Sequence, residues 1–379
     1  MLTKGAPMNL DISRRGLIGL AASTALVGTS TARAALAIPA ARARFGPPAG
    51  EAHLIYNENP YGPAPSAIRA MAEAAGQGSY YIDDIAPKLA EMIARRHRVS
   101  PDQVVLGNGS SEVLAAAALA WGGKGAILTS ELTFDEALRY AEPKGVKLVR
   151  QPMASDMGID LPGLAARAGP DITLLHICNP NNPTGMLIDA ASLRGFVRSM
   201  RPGTTVLVDE AYNELTDQPE ADSVVDLVRE GRDVIVTRTF SKIYGMAGLR
   251  VGYAISTPAN AQRIRDWNMT IGLNSAGLAA ALASYNDTGF LAYSRARITQ
   301  GRAMIVAAVK AAGLRSLPSQ ANFVFVEVPD ADRLQKAMAT RGIMIRGSYG
   351  RWHNWSRVST GKLEHIRRYA DALPQLVRS

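Results

Sequence analysis

Lys242 lies in Thr239-Phe240-Ser241-Lys242-Ile243-Tyr244-Gly245-Met246-Ala247-Gly248-Leu249-Arg250, between an apolar run and a glycine-rich loop. A lysine held in a protein interior loses its charge easily and becomes nucleophilic towards an aldehyde. Ser241 and Arg250 stand where they could grip a phosphate on the same ligand. Taken alone, Lys242 also reads as a surface lysine in a glycine loop. Val206-Leu207-Val208-Asp209-Glu210-Ala211-Tyr212 supplies a complement. Asp209 closes an apolar run, the place where open α/β sheets carry ligand residues. A buried carboxylate needs a cation. A protonated pyridine nitrogen would be one, and the pair would strengthen that ring as an electron sink. Tyr212 can donate a hydrogen bond to an oxygen on the same ring. Asp209 otherwise reads as a helix N-cap, and Glu210 competes for its role from the opposite strand face.

Two further stretches converge on such a ligand. Cys178-Asn179-Pro180-Asn181-Asn182-Pro183-Thr184-Gly185 is a stiff polar loop after an apolar run, from which Asn182 can reach the ring oxygen. Leu106-Gly107-Asn108-Gly109-Ser110-Ser111-Glu112 places glycines before a helix start. The backbone N–H groups of Ser110 and Ser111 would there face an anion, although serine is also an ordinary helix cap. Phe134, in the loop after the next apolar run, can stack on a flat ring or pack in the core.

These residues need a scaffold that brings loop ends together. Apolar runs at 104–106, 126–129, 147–150, 172–178, 205–208, 234–237 and 250–255 read as strands. Helical stretches such as 112–121 and 190–200 alternate with them, which predicts a largely parallel α/β sheet with helices on both faces. After a helical region at 277–312 the pattern changes to strand 323–328, helix 332–341 and strand 343–346. A closing helix at 362–373 is expected to stop at Pro374. This reads as a smaller α+β domain.

The chain has 379 residues and a formal net charge of +9. Lys4, Arg14, Arg15 and Arg33 against Asp11 supply +3 of that, leaving +6 for residues 38–379. No basic run is interleaved with aromatics, so nucleic acid is not an expected partner; the excess suits phosphorylated or carboxylate ligands. The single cysteine, Cys178, reads as a small core residue. The histidines His53, His97, His176, His353 and His365 share no metal-ligand spacing, and no metal site is expected. Residues 1–37 read as an export signal: Arg14-Arg15 precede an apolar run to about Gly28, and Ala32-Arg33-Ala34 and Ala35-Leu36-Ala37 offer small-x-small cleavage sites. The arginine pair resembles a twin-arginine signal, with Leu17 where many such signals have Phe. Export of a folded protein to the periplasm is the expectation, with a cytoplasmic location as the alternative if the leader does not function, and with no stable membrane anchor, since the apolar run is too short to span a bilayer.

The four stretches together resemble the fold-type I pyridoxal 5'-phosphate (PLP) aminotransferases, and within them the histidinol-phosphate aminotransferases, over residues 51–375. The resemblance implies a large PLP-binding domain with a mostly parallel seven-stranded sheet (residues 76–272). An N-terminal arm and small-domain segment (38–75) and a C-terminal small domain (273–379) complete it. It implies PLP held by Lys242 as a Schiff base, with Lys242 later moving the proton at the substrate Cα. Asp209 would pair with the ring nitrogen, Asn182 and Tyr212 would hold the ring oxygen, and Phe134 would stack on the ring, where the family usually has Tyr. Ser110, Ser111, Ser241 and Arg250 would bind the phosphate. Arg357 matches the arginine for the substrate carboxylate, Arg346 the position that helps bind a substrate phosphate, and Tyr61 a substrate-contacting tyrosine. Tyr81 matches a tyrosine that reaches the partner subunit's cofactor phosphate, so a homodimer with shared sites is implied. The implied reaction is transamination between an amino donor, histidinol-phosphate-like or aromatic, and a 2-oxo acid. Decarboxylation of the threonine-phosphate decarboxylase type is the alternative. Ser79-Tyr80-Tyr81-Ile82-Asp83 replaces the usual Arg-Tyr-Pro-Asp, and the 346–357 stretch carries Tyr349, Trp352, His353 and Trp355. Both departures leave the donor open.

Overall fold

Uninterrupted Val, Ile and Leu runs can only be satisfied where both sheet faces are covered, and the computed structural model places them there. It describes residues 45–81, 84–269 and 272–377, and everything below concerns the unit Ala49–Ser379. The strands are β1 (Ala52–His53), β2 (Val104–Gly107), β3 (Ala126–Ser130), β4 (Leu148–Gln151), β5 (Ile172–Cys178) and β6 (Thr205–Asp209). They continue with β7 (Val234–Thr239), β8 (Gly252–Ile255), β9 (Phe323–Glu327), β10 (Ile343–Met344) and β11 (Trp355–Ser359). Seven form one sheet in the order β2-β8-β7-β6-β5-β3-β4. The pairs β3–β4, β3–β5, β5–β6 and β6–β7 are parallel, while β8 runs antiparallel to both β7 and β2. The expected mostly parallel seven-stranded sheet is therefore present.

Side chains alternate across this sheet. Val206, Val208, Val234 and Val236 enter one core, while Leu207 and Ile235 enter the core on the other face. This period-2 alternation also sorts the acids at the end of β6. Asp209 continues the Leu207 face and Glu210 the Val208 face. A third core joins β1, β9, β10 and β11 to the helices Ala331–Ala339 and Leu363–Val377.

The helices used below are α1 (Pro65–Ala75), α2 (Ile85–His97), α3 (Ser110–Gly122), α4 (Ser275–Ser284) and α5 (Thr288–Ala311). The expected helical region 277–312 is thus two helices, broken where Asp287 caps the second by accepting from the Phe290 N–H. Leu278, Ala280 and Ala281 of α4 share the large-sheet core with Ala67 of α1. α1 and α4, which flank residues 76–272 in sequence, thus pack against the large sheet. α5 joins the two regions, with Phe290 and Ile298 in the large-sheet core and Ile305 and Val309 in the smaller one.

Two local expectations are corrected. The last helix does not stop at Pro374 but runs to Val377 with that proline inside it; the backbone bond a proline forfeits falls in the final turn, and burial of Ile366, Tyr369 and Leu373 along the preceding turns holds the helix down. The strand expected at 343–346 ends at Met344, and Arg346 instead forms an isolated bridge to Arg357. Among the described residues no helix is long and apolar enough to cross a membrane. The signal reading for residues 1–37 lies outside the described residues.

Candidate active site

Six strands of the sheet point the same way, so their carboxyl ends open on one edge. β2 delivers Ser110, β3 delivers Phe134, β5 delivers Asn182, β6 delivers Asp209 and β7 delivers Lys242. The antiparallel β8 begins at that edge, which brings in Arg250 just ahead of it. The sequence reading begins that strand at Arg250, but the strand starts at Gly252 and Arg250 lies in the left-handed region at φ 53°. A cavity of about 390 Å³ opens there, and all of these side chains line it. Ser111, Tyr212, Ser241, Arg346 and Arg357 line it too.

Lys242 is half-buried, and its Nζ donates to the Asn57 carbonyl at 3.2 Å. Burial first, and the positive charge of Arg357 second, push its amine down to about 8. Asp209 is 1% exposed, and its Oδ1 accepts from the Thr237 hydroxyl at 2.8 Å. Thr237 is its register partner on β7. Burial raises the Asp209 carboxyl to about 6, against the hydrogen bond from Thr237. Among the described residues it forms no ion pair. Glu210 faces away, into an ion pair with Arg238 at 2.7 Å and a hydrogen bond from the Val224 N–H at 2.8 Å. The competition between the two acids is thereby decided: only Asp209 meets the cavity.

The opposite wall is built from hydrogen-bonded pairs. The Tyr212 hydroxyl accepts from Asn57 Nδ2 at 3.1 Å, which leaves its own proton to donate. Asn182 Oδ1 accepts from Arg357 Nη1 at 2.6 Å, which leaves its amide N–H groups towards the cavity. Arg357 is 7% exposed, also donates to the Ile55 carbonyl at 2.7 Å, and has its Nε unpartnered. It forms no ion pair among the described residues. Arg346 lies beside it because the Arg346 N–H donates to the Arg357 carbonyl at 3.0 Å.

The phosphate-sized end lies at the start of α3. Gly109 occupies φ +72°, and a Cβ there would overlap the Arg250 guanidinium; a Cβ on Gly252 would overlap the Ser110 nitrogen. Only glycine permits both the turn and the close approach. Arg250 Nη1 donates to Ser241 Oγ at 3.3 Å and to the Ala247 carbonyl at 2.9 Å, so the guanidinium is aimed before any ligand arrives.

Two residues named from sequence are not brought into this cavity. The Tyr61 ring packs edge-on to Tyr293, and its hydroxyl donates to the Gly361 carbonyl at 3.3 Å; Tyr56 lines the cavity instead. Tyr81 is 80% exposed and away from its own chain's cavity. Sequence reasoning missed Asn57, which touches both Lys242 and Tyr212 and adopts φ 56°. Asparagine tolerates that conformation better than most side chains, and the Asn57-Glu58-Asn59-Pro60 run was its only signal. Thr237 was also missed, and nothing in its local sequence marks it; Tyr349, from the unusual 346–357 stretch, lines the cavity.

The chain matches the family "Aminotransferase class I and II" over residues 52–373. The chain belongs to the class I and II aminotransferases. This aminotransferase is 36% identical over 323 residues to a histidinol-phosphate aminotransferase of Symbiobacterium thermophilum, covering 84% of this chain and 88% of that one. The solved histidinol-phosphate aminotransferase of Sinorhizobium meliloti, in complex with pyridoxal-5'-phosphate, is 31% identical with a TM-score of 0.78, covering 86% and 90% of the two chains. An L-threonine-O-3-phosphate decarboxylase of Porphyromonas gingivalis shares the fold at a TM-score of 0.73 and 20% identity, covering 86% and 99%. At that identity the likeness concerns fold alone. The aminotransferase thus carries out PLP-dependent transamination with a 2-oxo acid, and decarboxylation is the less supported outcome.

Proposed function

We propose that the amino donor is an amine bearing a second, anionic group, of the histidinol-phosphate kind. The observation that carries this reading is the pair of guanidiniums of Arg346 and Arg357. They sit on bridged backbone, line one cavity and lack a carboxylate partner among the described residues. Arg357 is buried without an anion, which is costly, and an anionic substrate removes that cost; Arg346 is exposed and adds its charge at the same cavity. The names of the relatives point the same way. An aromatic amino acid is the second reading, favoured by the rings of Tyr56 and Tyr349 on the cavity wall.

PLP fits the residues present. Asp209 is a buried carboxylate lacking a cation, and the glycine cradle at Gly109 and Gly252 is shaped for an anion. When bound, PLP supplies an electron sink for the charge that develops at the substrate Cα. In this reading Asp209 keeps the ring nitrogen protonated. Asn182 and Tyr212 donate to the ring oxygen, and Phe134 covers a ring face. The α3 N–H groups, Ser111, Ser241 and Arg250 hold the phosphate. Lys242 would carry the cofactor at rest, and its amine, lowered to about 8, would take the proton from the substrate Cα and deliver it to the cofactor's imine carbon. Arg357 orients the carboxylate of the 2-oxo acid acceptor, and with Arg346 the anionic group of a donor that carries no carboxylate.

The test is a half-reaction screen in which purified holoenzyme is mixed with histidinol phosphate, glutamate, phenylalanine or alanine. Loss of cofactor absorbance is followed, with and without Arg346→Ala. Histidinol phosphate is expected to react fastest and to lose most from the substitution. Equal loss for alanine would remove Arg346 from the substrate site. Arg357→Ala is expected to lower kcat/KM for carboxylate donors by roughly 10²–10³-fold, since truncating one partner of a buried charge pair costs about 2–5 kcal/mol. Circular dichroism checks that losing the Asn182 and Ile55 contacts leaves the fold intact.

Two further features belong to this proposal. Exposed Tyr80 and Tyr81, and the groove beside the cavity lined by Tyr140, Trp267 and Met269, support a homodimer in which Tyr81 reaches the partner's cofactor phosphate. The Arg14-Arg15 leader supports twin-arginine export. Fractionation of cells expressing the full chain is expected to find a shortened periplasmic protein, and Arg14→Lys/Arg15→Lys to hold it in the cytoplasm. A full-length cytoplasmic wild type would end the export reading.

A further inference from the structure

Tyr212 and Lys242 face the catalytic cavity, but the residues that follow them face elsewhere. Asn213, Ile243 and Tyr244 line a second cavity of about 970 Å³. It lies between the N-terminal half of α5, the end of α2 and the connection from β6 to β7. A volume of this size is ample for a small-molecule ligand.

Its charge is unbalanced. Arg96, Arg98, Arg229, Arg238 and Arg295 line it, against Glu214, Glu220 and Asp226. Arg238 is neutralised by Glu210 at 2.7 Å and Glu214 at 2.9 Å, and Asp226 is held by Arg194 at 2.7 Å. The other four guanidiniums have no carboxylate partner among the described residues, and only Glu220 remains to oppose them. Arg96 is fixed rather than loose: it donates to the Tyr244 hydroxyl at 3.1 Å and stacks 3.6 Å from the Tyr285 ring centre. The positive field registers on His97, pushed down to about 3 by burial first and then by Arg238, Arg96 and Arg229.

The floor carries an independent sign of a missing partner. Asn213 is 1% exposed, yet both its Oδ1 and its Nδ2 lack a hydrogen-bond partner. A buried amide left unpaired at both ends costs about 1–3 kcal/mol per group, and such groups call for a ligand or ordered water. We propose that this cavity is a second ligand site, and that it takes a small polyanion of metabolite size, a phosphate ester or a polycarboxylate. The arginines bind its anionic groups and the Asn213 amide a polar group near the floor. Its occupant would contact the backbone continuing from Lys242 and Tyr212 and the helix α5 that joins the two cores.

The test uses PLP-saturated holoenzyme, so that the catalytic phosphate position is filled. Pyrophosphate and citrate are titrated calorimetrically at constant ionic strength, into wild type and into Arg229→Gln/Arg295→Ala. Alanine suits the helical position of Arg295, and neither residue belongs to the catalytic cavity, so unliganded turnover should be unchanged. Saturable binding of either anion, one per subunit and at least about tenfold weaker in the double variant, is the expected result, a loss of about 1.4 kcal/mol or more. Pyrophosphate alone would assign the site to phosphate esters, and citrate alone to polycarboxylates. Equal binding by the double variant, or no binding beyond that of chloride at matched ionic strength, overturns the proposal.

Discussion

Lys242→Ala is expected to end catalytic turnover, with kcat falling by more than about 10⁴-fold, because one side chain supplies both the cofactor's attachment and the general base, and the base alone contributes ~10²–10⁴. Borohydride reduction of wild type should leave a pyridoxyl adduct on Lys242 by mass spectrometry, and the variant should carry none. Multiple turnovers by the variant would refute the assignment. The same amine sets a pH dependence. Only its neutral form attacks an aldehyde, and its ionisation is lowered from 10.5 to about 8. The rate at which apoprotein captures added PLP should therefore climb with pH and level off near 8. A rate still climbing towards 10.5 would show a lysine with an ordinary environment.

Asp209→Asn is expected to act in opposite directions on activity and on stability. The amide cannot hold a pyridinium proton, and loss of one preorganised electrostatic group costs about 10²–10³ in kcat. In the apoprotein the carboxylate has no cation, and burial lifts its ionisation from 3.8 to about 6. A raised carboxyl stabilises the fold fully below its unfolded value and loses that contribution as pH rises through its folded value. The apoprotein should thus weaken between about pH 4 and 6, and the Asn variant should not. Above that window the variant gains up to about 3 kcal/mol relative to wild-type apoprotein, at 1.36 kcal/mol per pKa unit. Chemical denaturation of both apoproteins at pH 4 and pH 8 measures this. A variant that is less stable at pH 8 would mean that Asp209 is already satisfied without the cofactor.

Much of this was legible in the chain because the information is local. Lys242, Asp209 and Asn182 each follow an apolar run, and strand ends in parallel sheets carry ligand residues. Gly109 stands in a glycine-rich stretch before a helix start, where its left-handed backbone favours glycine. The rest depended on distance in sequence. Asn57 meets Lys242 and Tyr212 across more than 150 positions, and no local pattern encodes such a meeting. Tyr61 matched a substrate-contacting tyrosine of the family, yet its ring packs on Tyr293, because side-chain direction is set by what packs nearby. Likewise α1 and α4 lie outside residues 76–272 in sequence, yet Ala67 of the one and Leu278, Ala280 and Ala281 of the other enter the large-sheet core.

Residue chemistry and spacing pointed to a phosphate-bearing ligand with a flat ring, which the family resemblance names as PLP, and to the strand-loop positions of the reactive groups and the parallel α/β scaffold, since these rest on short-range backbone and side-chain preferences. Tertiary structure alone decided which acid meets the ring nitrogen's position, which arginines stay without counter-charge, and that a second basic cavity lies behind the first. Those outcomes are sums of burial and Coulomb terms among residues far apart in the chain, and only folding brings them within range of one another.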